Sequence, residues 1–214
     1  MIKKELSFTA FDSYGEEREH TETVRFLYSL PAIKMYEQRT GRNFFDDNQK
    51  ALTAYTQLAL ATGVNCNLSD LTDEEKIKMM PLLMEPDFMN FLTEVIPCLY
   101  GEVENGRLVQ NELTAETASL APWFGDLIDI GFFSDLFYEF NRSRAKVPQD
   151  KKKASSEVVT SEKVYKVIFE NRMDVFWAES QHFNYLMGTL HQMSINQEEK
   201  KTLSNADLLS VMSD

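Results

Sequence analysis

Hydrophobic and polar residues alternate in two runs near the start of the chain, at residues 3–12 and 19–28, as in half-buried strands. Residues 12–15, between the runs, have the composition of a turn. A two-stranded ribbon is marginally stable alone, so the predicted hairpin must pack on another element. The apolar positions are Leu6, Phe8 and Ala10 in the first run, and Val24, Phe26 and Tyr28 in the second.

From residue 29 the apolar spacing changes to three and four, which predicts helices. Ser29 is the expected N-cap of the first helix, and Gly41 its end. Phe44 and Phe45 are expected just before the acidic start of a second helix, which ends near Gly63.

Further helices are predicted as far as residue 141. A capping box formed by Thr72 and Glu75 begins one, and another is interrupted near Pro97. Residues 101–110 are predicted to form an irregular loop or a tight hairpin. Residues 123–140 are apolar on most sides of a helix, so they are either a central core element or a docking surface.

A basic stretch, Arg142–Ser161, follows. It holds six Lys or Arg against two Asp or Glu, a local +4 in a chain whose net charge is −12. A segment this poor in apolar residues cannot bury enough apolar surface to offset the conformational entropy that it would lose on becoming ordered, so a flexible linker is predicted. It would divide a body at 1–141 from a C-terminal extension at 162–214.

Residues 162–172 and 173–190 of the extension are both compatible with helix, and residues 203–212 form a short amphipathic ending. The aromatic residues of so small a piece are not well buried unaided, so it should fold against a partner, against the body, or only weakly. The predicted fold class is α+β and mainly helical, with an N-terminal β-hairpin packed on a helical body.

Charge and composition argue against several classes of function. The isoelectric point near 4.8 disfavours nucleic-acid binding and binding to an anionic membrane. No apolar run suits a transmembrane helix or a secretory signal, so a reduced cytoplasmic protein is expected. Its two cysteines, Cys66 and Cys98, lack metal-ligand or redox spacing and are expected to be inert.

The chain offers little catalytic chemistry. Glu179 and His182 have the Glu-x-x-His spacing of di-metal carboxylate bundles, and Glu17 and His20 repeat it, but paired carboxylates on facing helices are not evident. The acids at 126 and 129 are interpreted as solvent-facing. No phosphate loop, nucleophile elbow or zinc cluster is present, so neither an enzyme nor a bound cofactor or metal is predicted.

The segment LPAIKMYEQRTGRNFFDD, after the predicted strand pair, resembles the tail assembly chaperones of long-tailed phages of Gram-positive bacteria. In that family a helix ending in E-x-x-T-G-x-x-F follows an N-terminal β segment, and Glu37, Thr40, Gly41 and Phe44 occupy those places. The detailed resemblance covers about the first sixty residues. The whole chain resembles members of that family in being acidic and mainly helical, and such members are made in two lengths by ribosomal frameshifting. The codons of Lys151–Lys153 would then be the place of an adenine-rich slippery site.

The resemblance implies a non-enzymatic chaperone in the host cell cytoplasm, absent from the finished virion. Its partners would be the tape measure protein and the tail tube protein, and self-association is a further expected contact. An adaptor or regulatory protein with no role in assembly is the competing interpretation. The aromatic residues expected to contact partners are Trp123, Phe124, Phe132, Phe133, Phe137, Phe140, Phe176, Trp177, Phe183 and Tyr185.

Overall fold

The computed structural model describes residues 1–64, 71–128, 130–141 and 159–194. Two antiparallel strands, β1 (Ile2–Phe11) and β2 (Glu17–Phe26), form the predicted hairpin. At the turn, the side chain of Asp12 accepts hydrogen bonds from two backbone amides, at 2.8 and 3.1 Å. The turn therefore holds its shape through an aspartate, as its composition predicts.

The two edges of the hairpin differ. At the base of β2, the amide of Leu27 donates to the carbonyl of Leu99 at 2.9 Å, and the amide of Gly101 donates to the carbonyl of Arg25 at 3.0 Å. The outer edge of β1 has no strand beside it in the part of the chain that the structure describes.

The first two helices are α1 (Leu30–Thr40) and α2 (Phe44–Thr62). Ser29 caps α1 as predicted, and Gly41 ends it in the left-handed conformation, with φ of 67°. The prediction that Phe44 and Phe45 precede α2 is wrong, because Asn43 is the N-cap and its side chain accepts from the amides of the first turn.

Helix α3 (Asp73–Met79) begins with the predicted capping box and continues into a 3₁₀ helix, Met80–Met84. Helix α4 (Pro86–Leu99) passes through Pro97, so the predicted interruption there is wrong. Pro97 lies in the last turn, where the missing amide removes a single helical hydrogen bond. Every residue from Val95 to Leu99 is buried, and this packing keeps the turn helical.

A second, short hairpin follows, made of β3 (Glu102–Glu104) and β4 (Arg107–Val109). It decides between the two predictions for residues 101–110 in favour of the tight hairpin. Its turn residues Asn105 and Gly106 have φ of 50° and 76°, as a two-residue turn of this hand requires. Helix α5 (Glu112–Leu120) begins directly after it.

Most of the apolar stretch at 123–140 lies in the core. It contains a short 3₁₀ helix, Gly125–Leu127, and helix α6 (Ile130–Asn141). Phe133 and Leu136 are fully buried. The ring of Phe133 lies 4.6 Å from that of Phe88 and 5.4 Å from that of Tyr55, so α6 contacts both α4 and α2.

The C-terminal segment, residues 159–194, forms three helices where two were predicted. They are α7 (Ser161–Glu170), α8 (Val175–Glu179) and α9, which occupies 183–194. Arg172, with φ of 53°, separates the first two. Of the predicted linker, residues 142–158 lie outside the described residues, as do 195–214 with the predicted amphipathic ending. The fold is mainly helical with an N-terminal hairpin packed on helices, which confirms the predicted class.

Candidate functional site

The C-terminal segment folds against the body, which decides among the three outcomes that its aromatic content left open. Residue 182 forms an isolated antiparallel bridge with Ser29, and the amide of Phe183 donates to the carbonyl of Tyr28 at 2.8 Å. The ring of Phe183 lies 5.2 Å from that of Tyr28 and 5.6 Å from that of Phe45. Backbone pairing and ring contact therefore fix the segment at the junction of β2 and α1.

The start of α7 is held by the residues that end α1. A carboxylate oxygen of Glu37 accepts hydrogen bonds from the backbone amide of Ser161, at 3.0 Å, and from its hydroxyl. The side-chain amide of Asn43 donates to the other carboxylate oxygen of Glu37 at 3.2 Å and to the carbonyl of Val159 at 2.7 Å. Glu37 thus joins the body to the C-terminal segment.

Glu37 is one of four residues, with Thr40, Gly41 and Phe44, that form a short motif at the end of α1 and the start of α2. Glu37 holds α7, and the hydroxyl of Thr40 donates to the carbonyl of Tyr36 at 2.8 Å. Gly41 provides the left-handed turn. The ring of Phe44 stacks on that of Tyr28 at 5.7 Å and meets that of Phe140 at 5.5 Å. Of the four motif residues, Glu37 contacts the C-terminal segment directly, and Phe44 packs on Tyr28, whose ring also contacts Phe183.

A buried ionic contact lies beneath the joint. The Nε2 atom of His182 lies 3.1 Å from Oε1 of Glu139, and the N-terminal ammonium of Met1 contacts the same oxygen. The amide of Asn184 donates to Nδ1 of His182 at 3.3 Å, which leaves the proton of a neutral imidazole on Nε2, facing Glu139. Burial alone would raise the pKa of Glu139, but His182 and the ammonium outweigh it and lower the pKa to about 2.

The two Glu-x-x-His pairs do not converge on a common site. Glu179 accepts a hydrogen bond from the hydroxyl of Tyr165 at 2.6 Å, whereas His182 faces Glu139. In the first hairpin, His20 stacks on Phe8 at 5.9 Å. Among the described residues, no three His, Cys, Asp or Glu side chains group together as metal ligands would.

The ten aromatic residues predicted to contact partners separate into a buried and an exposed set. Phe124 and Phe137 are half-buried. Three residues of the C-terminal segment are exposed: Phe176 at 84%, Trp177 at 38% and Tyr185 at 40%. Their contact with partners stays a prediction. The buried residues of the ten are Trp123, Phe132, Phe133, Phe140 and Phe183.

The three exposed residues form what we call the aromatic face. The rings of Trp177 and Tyr185 lie 6.4 Å apart, and Phe176 precedes Trp177 in α8. On the opposite side of the same short helix, Ala178 is fully buried. The segment is therefore anchored on one side and presents aromatic rings on the other.

A cleft of about 790 Å³ runs beside the aromatic face. One wall comes from β4 and the entry to α1, including Leu27 and Leu108, and the other comes from α8, including Phe176 and Trp177. A neighbouring hollow of about 360 Å³, with Lys34 and Arg39 in its lining, shares Pro31, Gln110 and Glu179 with the cleft. Both are lined jointly by the body and the C-terminal segment, so the docked segment is needed to form them.

Sequence reasoning missed two buried carboxylates, Glu139 beneath the joint and Asp47 in the first turn of α2. Glu139 lies among aromatic residues of α6, and its acidic side chain in that apolar stretch was the available signal. Asp47, interpreted as a helix-start charge, is buried and accepts a hydrogen bond from the hydroxyl of Tyr36 at 2.8 Å, while Nε of Arg42 lies 2.9 Å away.

Among the described residues, no helix is long and apolar enough to cross a membrane. Compared with protein families, curated proteins and solved structures, the chain has no match.

Proposed function

We propose that this chain is a non-enzymatic chaperone of phage tail assembly, which binds other proteins through the aromatic face. The observation that carries the proposal is the exposure of Phe176, Trp177 and Tyr185 on a segment whose inner side is fixed to the body. Clustered aromatic side chains at the surface are typical of protein contact sites. The family resemblance supplies the kind of partner.

Under this proposal the body coats the long helical tape measure protein, and the C-terminal segment recruits tail tube subunits. The proposal places the chain in the host cytoplasm, without a cofactor, and outside the finished virion. The fit is physical as well: exposed aromatic rings contact apolar side chains of many shapes, and modest affinity allows release when the tube polymerises. The position of the resembling motif at the joint, with Glu37 holding α7, supports a role for the motif in presenting the face.

Co-expression tests the proposal. The full chain, carrying an affinity tag, is produced with the tape measure protein and, separately, with the tail tube protein of the same genome. We expect at least one of them to be retained, and the double variant Phe176→Ala and Trp177→Ala to lose most of the retained tail tube protein. The matched control is Phe11→Ala with Tyr14→Ala, which removes two exposed rings from the first hairpin.

Two results would contradict the proposal. If the folded wild-type chain retains neither tail protein, the proposed chaperone function is wrong. Loss of retention in the hairpin control, with full retention in the α8 variant, would show that the aromatic face is not the contact.

A further inference from the structure

The C-terminal segment lies in a groove of the body that we call the docking groove, formed by Tyr28, Ser29, Glu37, Phe45 and Glu139. Ser29 supplies a β-bridge, Tyr28 and Phe45 supply rings, and the two glutamates supply carboxylates that meet the segment. Because backbone pairing, ring contact and ionic contact are combined, the groove recognises this particular segment and not apolar surface in general.

The segment brings apolar side chains that need a body to cover them. Three short helices are too small to bury such side chains among themselves. A segment that leaves its own body would therefore bind the docking groove of any open copy. The buried apolar residues of the segment are Val164, Ile168, Ala178, Phe183, Leu186 and Leu190.

The body side of this contact suits a segment that leaves and returns. The carboxylates of Glu37 and Glu139 are groups that water solvates well once the segment is gone. Part of the core lies within the body, since the ring of Phe133 packs on those of Tyr55 and Phe88 among α2, α4 and α6. An open body therefore keeps this packing and exposes a partly polar groove, as separable contacts within one chain commonly do.

The length of chain between Asn141 and Val159 allows a segment to reach a body other than its own. Eighteen peptide steps separate the two residues and span at most about 60 Å when extended. A globular body of residues 1–141 is about 35–40 Å across. In dilute solution a segment docks on its own body, because a tether of this kind gives an effective concentration of about 1 mM.

We propose that the docking groove also accepts the segment of a second copy, so that two chains exchange residues 159–194 and form a dimer. In that dimer Glu37 of each chain accepts from Ser161 of the other, and Phe183 of each packs on Tyr28 of the other. These are the contacts of the single chain, made between copies, which is why exchange costs little. The inference goes beyond the proposed function and does not depend on it.

Complementation between two full-length variants tests the exchange. Glu37→Ala damages the groove and leaves its segment intact, whereas Phe183→Ala damages the segment and leaves its groove intact. The Glu37→Ala chain is labelled with ¹⁵N, so that hydrogen exchange of the two chains is followed separately by mass spectrometry. We expect mixing at about 0.5 mM to slow exchange in 159–194 of the Glu37→Ala chain at least about fivefold, because its segment gains an intact groove.

The segment of the Phe183→Ala chain should gain no protection, and light scattering should show the mass of two chains in the mixture. The matched control mixes Glu37→Ala with Phe45→Ala, in which both grooves are damaged and both segments are intact. Circular dichroism confirms that each variant is folded. Asn184→Ala serves as a second segment variant, since its side-chain amide donates to the carbonyl of Phe140 at 2.6 Å.

Two results would overturn the proposal. Exchange rates in the mixture that equal those of the separate variants would show that the segment docks only on its own body. Equal protection in the control mixture would show that the chains associate without an intact docking groove. Neither result bears on the retention of tail proteins, which is measured independently.

Discussion

The carboxylate of Glu139 is held ionised inside the protein by groups from two other parts of the chain. His182 comes from the C-terminal segment, and the ammonium of Met1 from the start of β1. Because the pKa is lowered from 4.5 to about 2, the ionised carboxylate stabilises the folded state at pH values above about 4.5. That stabilisation declines as the pH falls through the range from about 5 to 2.

Replacing Glu139 by Gln should therefore lower the free energy of unfolding by about 2 kcal/mol at pH 7, and by less at pH 3. Urea unfolding at the two pH values measures the difference. Asp135→Asn is the control: Asp135, one turn earlier in α6, pairs with Lys4, and both side chains are more than a third exposed. Solvent screening should keep its effect below about 1 kcal/mol. An equal loss for Glu139→Gln at pH 7 and pH 3 would contradict the assigned charge contact.

The thiol of Cys98 should be unreactive in the folded chain. It is fully buried in α4, and burial raises its pKa to about 12, so very little thiolate forms at neutral pH. In a Cys66→Ser variant, we expect alkylation of Cys98 by iodoacetamide to be slow in buffer and fast in denaturant. Equal rates in the two conditions would show that the helix opens readily.

At the scale of the elements, Glu37 forms hydrogen bonds between α1 and the start of α7. Glu37→Ala removes the acceptor for the amide and hydroxyl of Ser161 and one of the partners of Asn43. We expect faster hydrogen exchange and faster proteolysis in 159–194, with stability lower by about 1–2 kcal/mol. Gln38→Ala, at an exposed neighbouring position on α1, is the control and should leave both rates unchanged. Unchanged exchange in the Glu37 variant would mean that the other contacts, such as the β-bridge at Ser29 and the ring contacts of Phe183, hold the segment without Glu37.

Most features that depend on near neighbours could be predicted from the sequence, the N-cap at Asn43 being an exception, and those that depend on distant partners could not. The N-cap at Ser29, the capping box at Thr72 and the turn at Asn105 each involve groups within a few residues. The hydrogen bond from Ser161 to Glu37 spans 124 positions, and the contact between Met1 and Glu139 spans 138. No local pattern distinguishes Glu37 from a solvated carboxylate, and the apolar surroundings of Glu139 do not show which groups it contacts.

Packing also determined the outcome where a pattern allowed two structures. The apolar stretch at 123–140 had the composition of a core helix and of a docking surface alike. Most of its rings are buried because α2 and α4 supply aromatic partners, as the contacts of Phe133 with Tyr55 and Phe88 show. Hydrophobicity alone does not show where those partners lie.

On the scale of the whole molecule, the proposed binding of tail proteins should depend on the C-terminal segment, residues 159–194, and not on the residues between it and the body. Replacing Lys151, Lys152 and Lys153 by Gln in a fixed-frame gene is expected to leave retention of the tail proteins intact. Co-purification with the wild-type chain as reference measures this. Loss of the partners would show that the lysines themselves form a contact surface.

The open edge of β1 predicts that the amides of this strand exchange hydrogen at alternating rates. Since the carbonyl of Arg25 faces Gly101, the even-numbered amides of β1 bond to β2, whereas those of Lys3, Glu5, Ser7 and Thr9 face the open edge. Residue-resolved exchange into heavy water should therefore alternate fast and slow along the strand. A strand that a partner adds at this edge would slow the exchange of only the outward-facing amides. Loss of the alternation in exchange rates would therefore show that the edge is occupied.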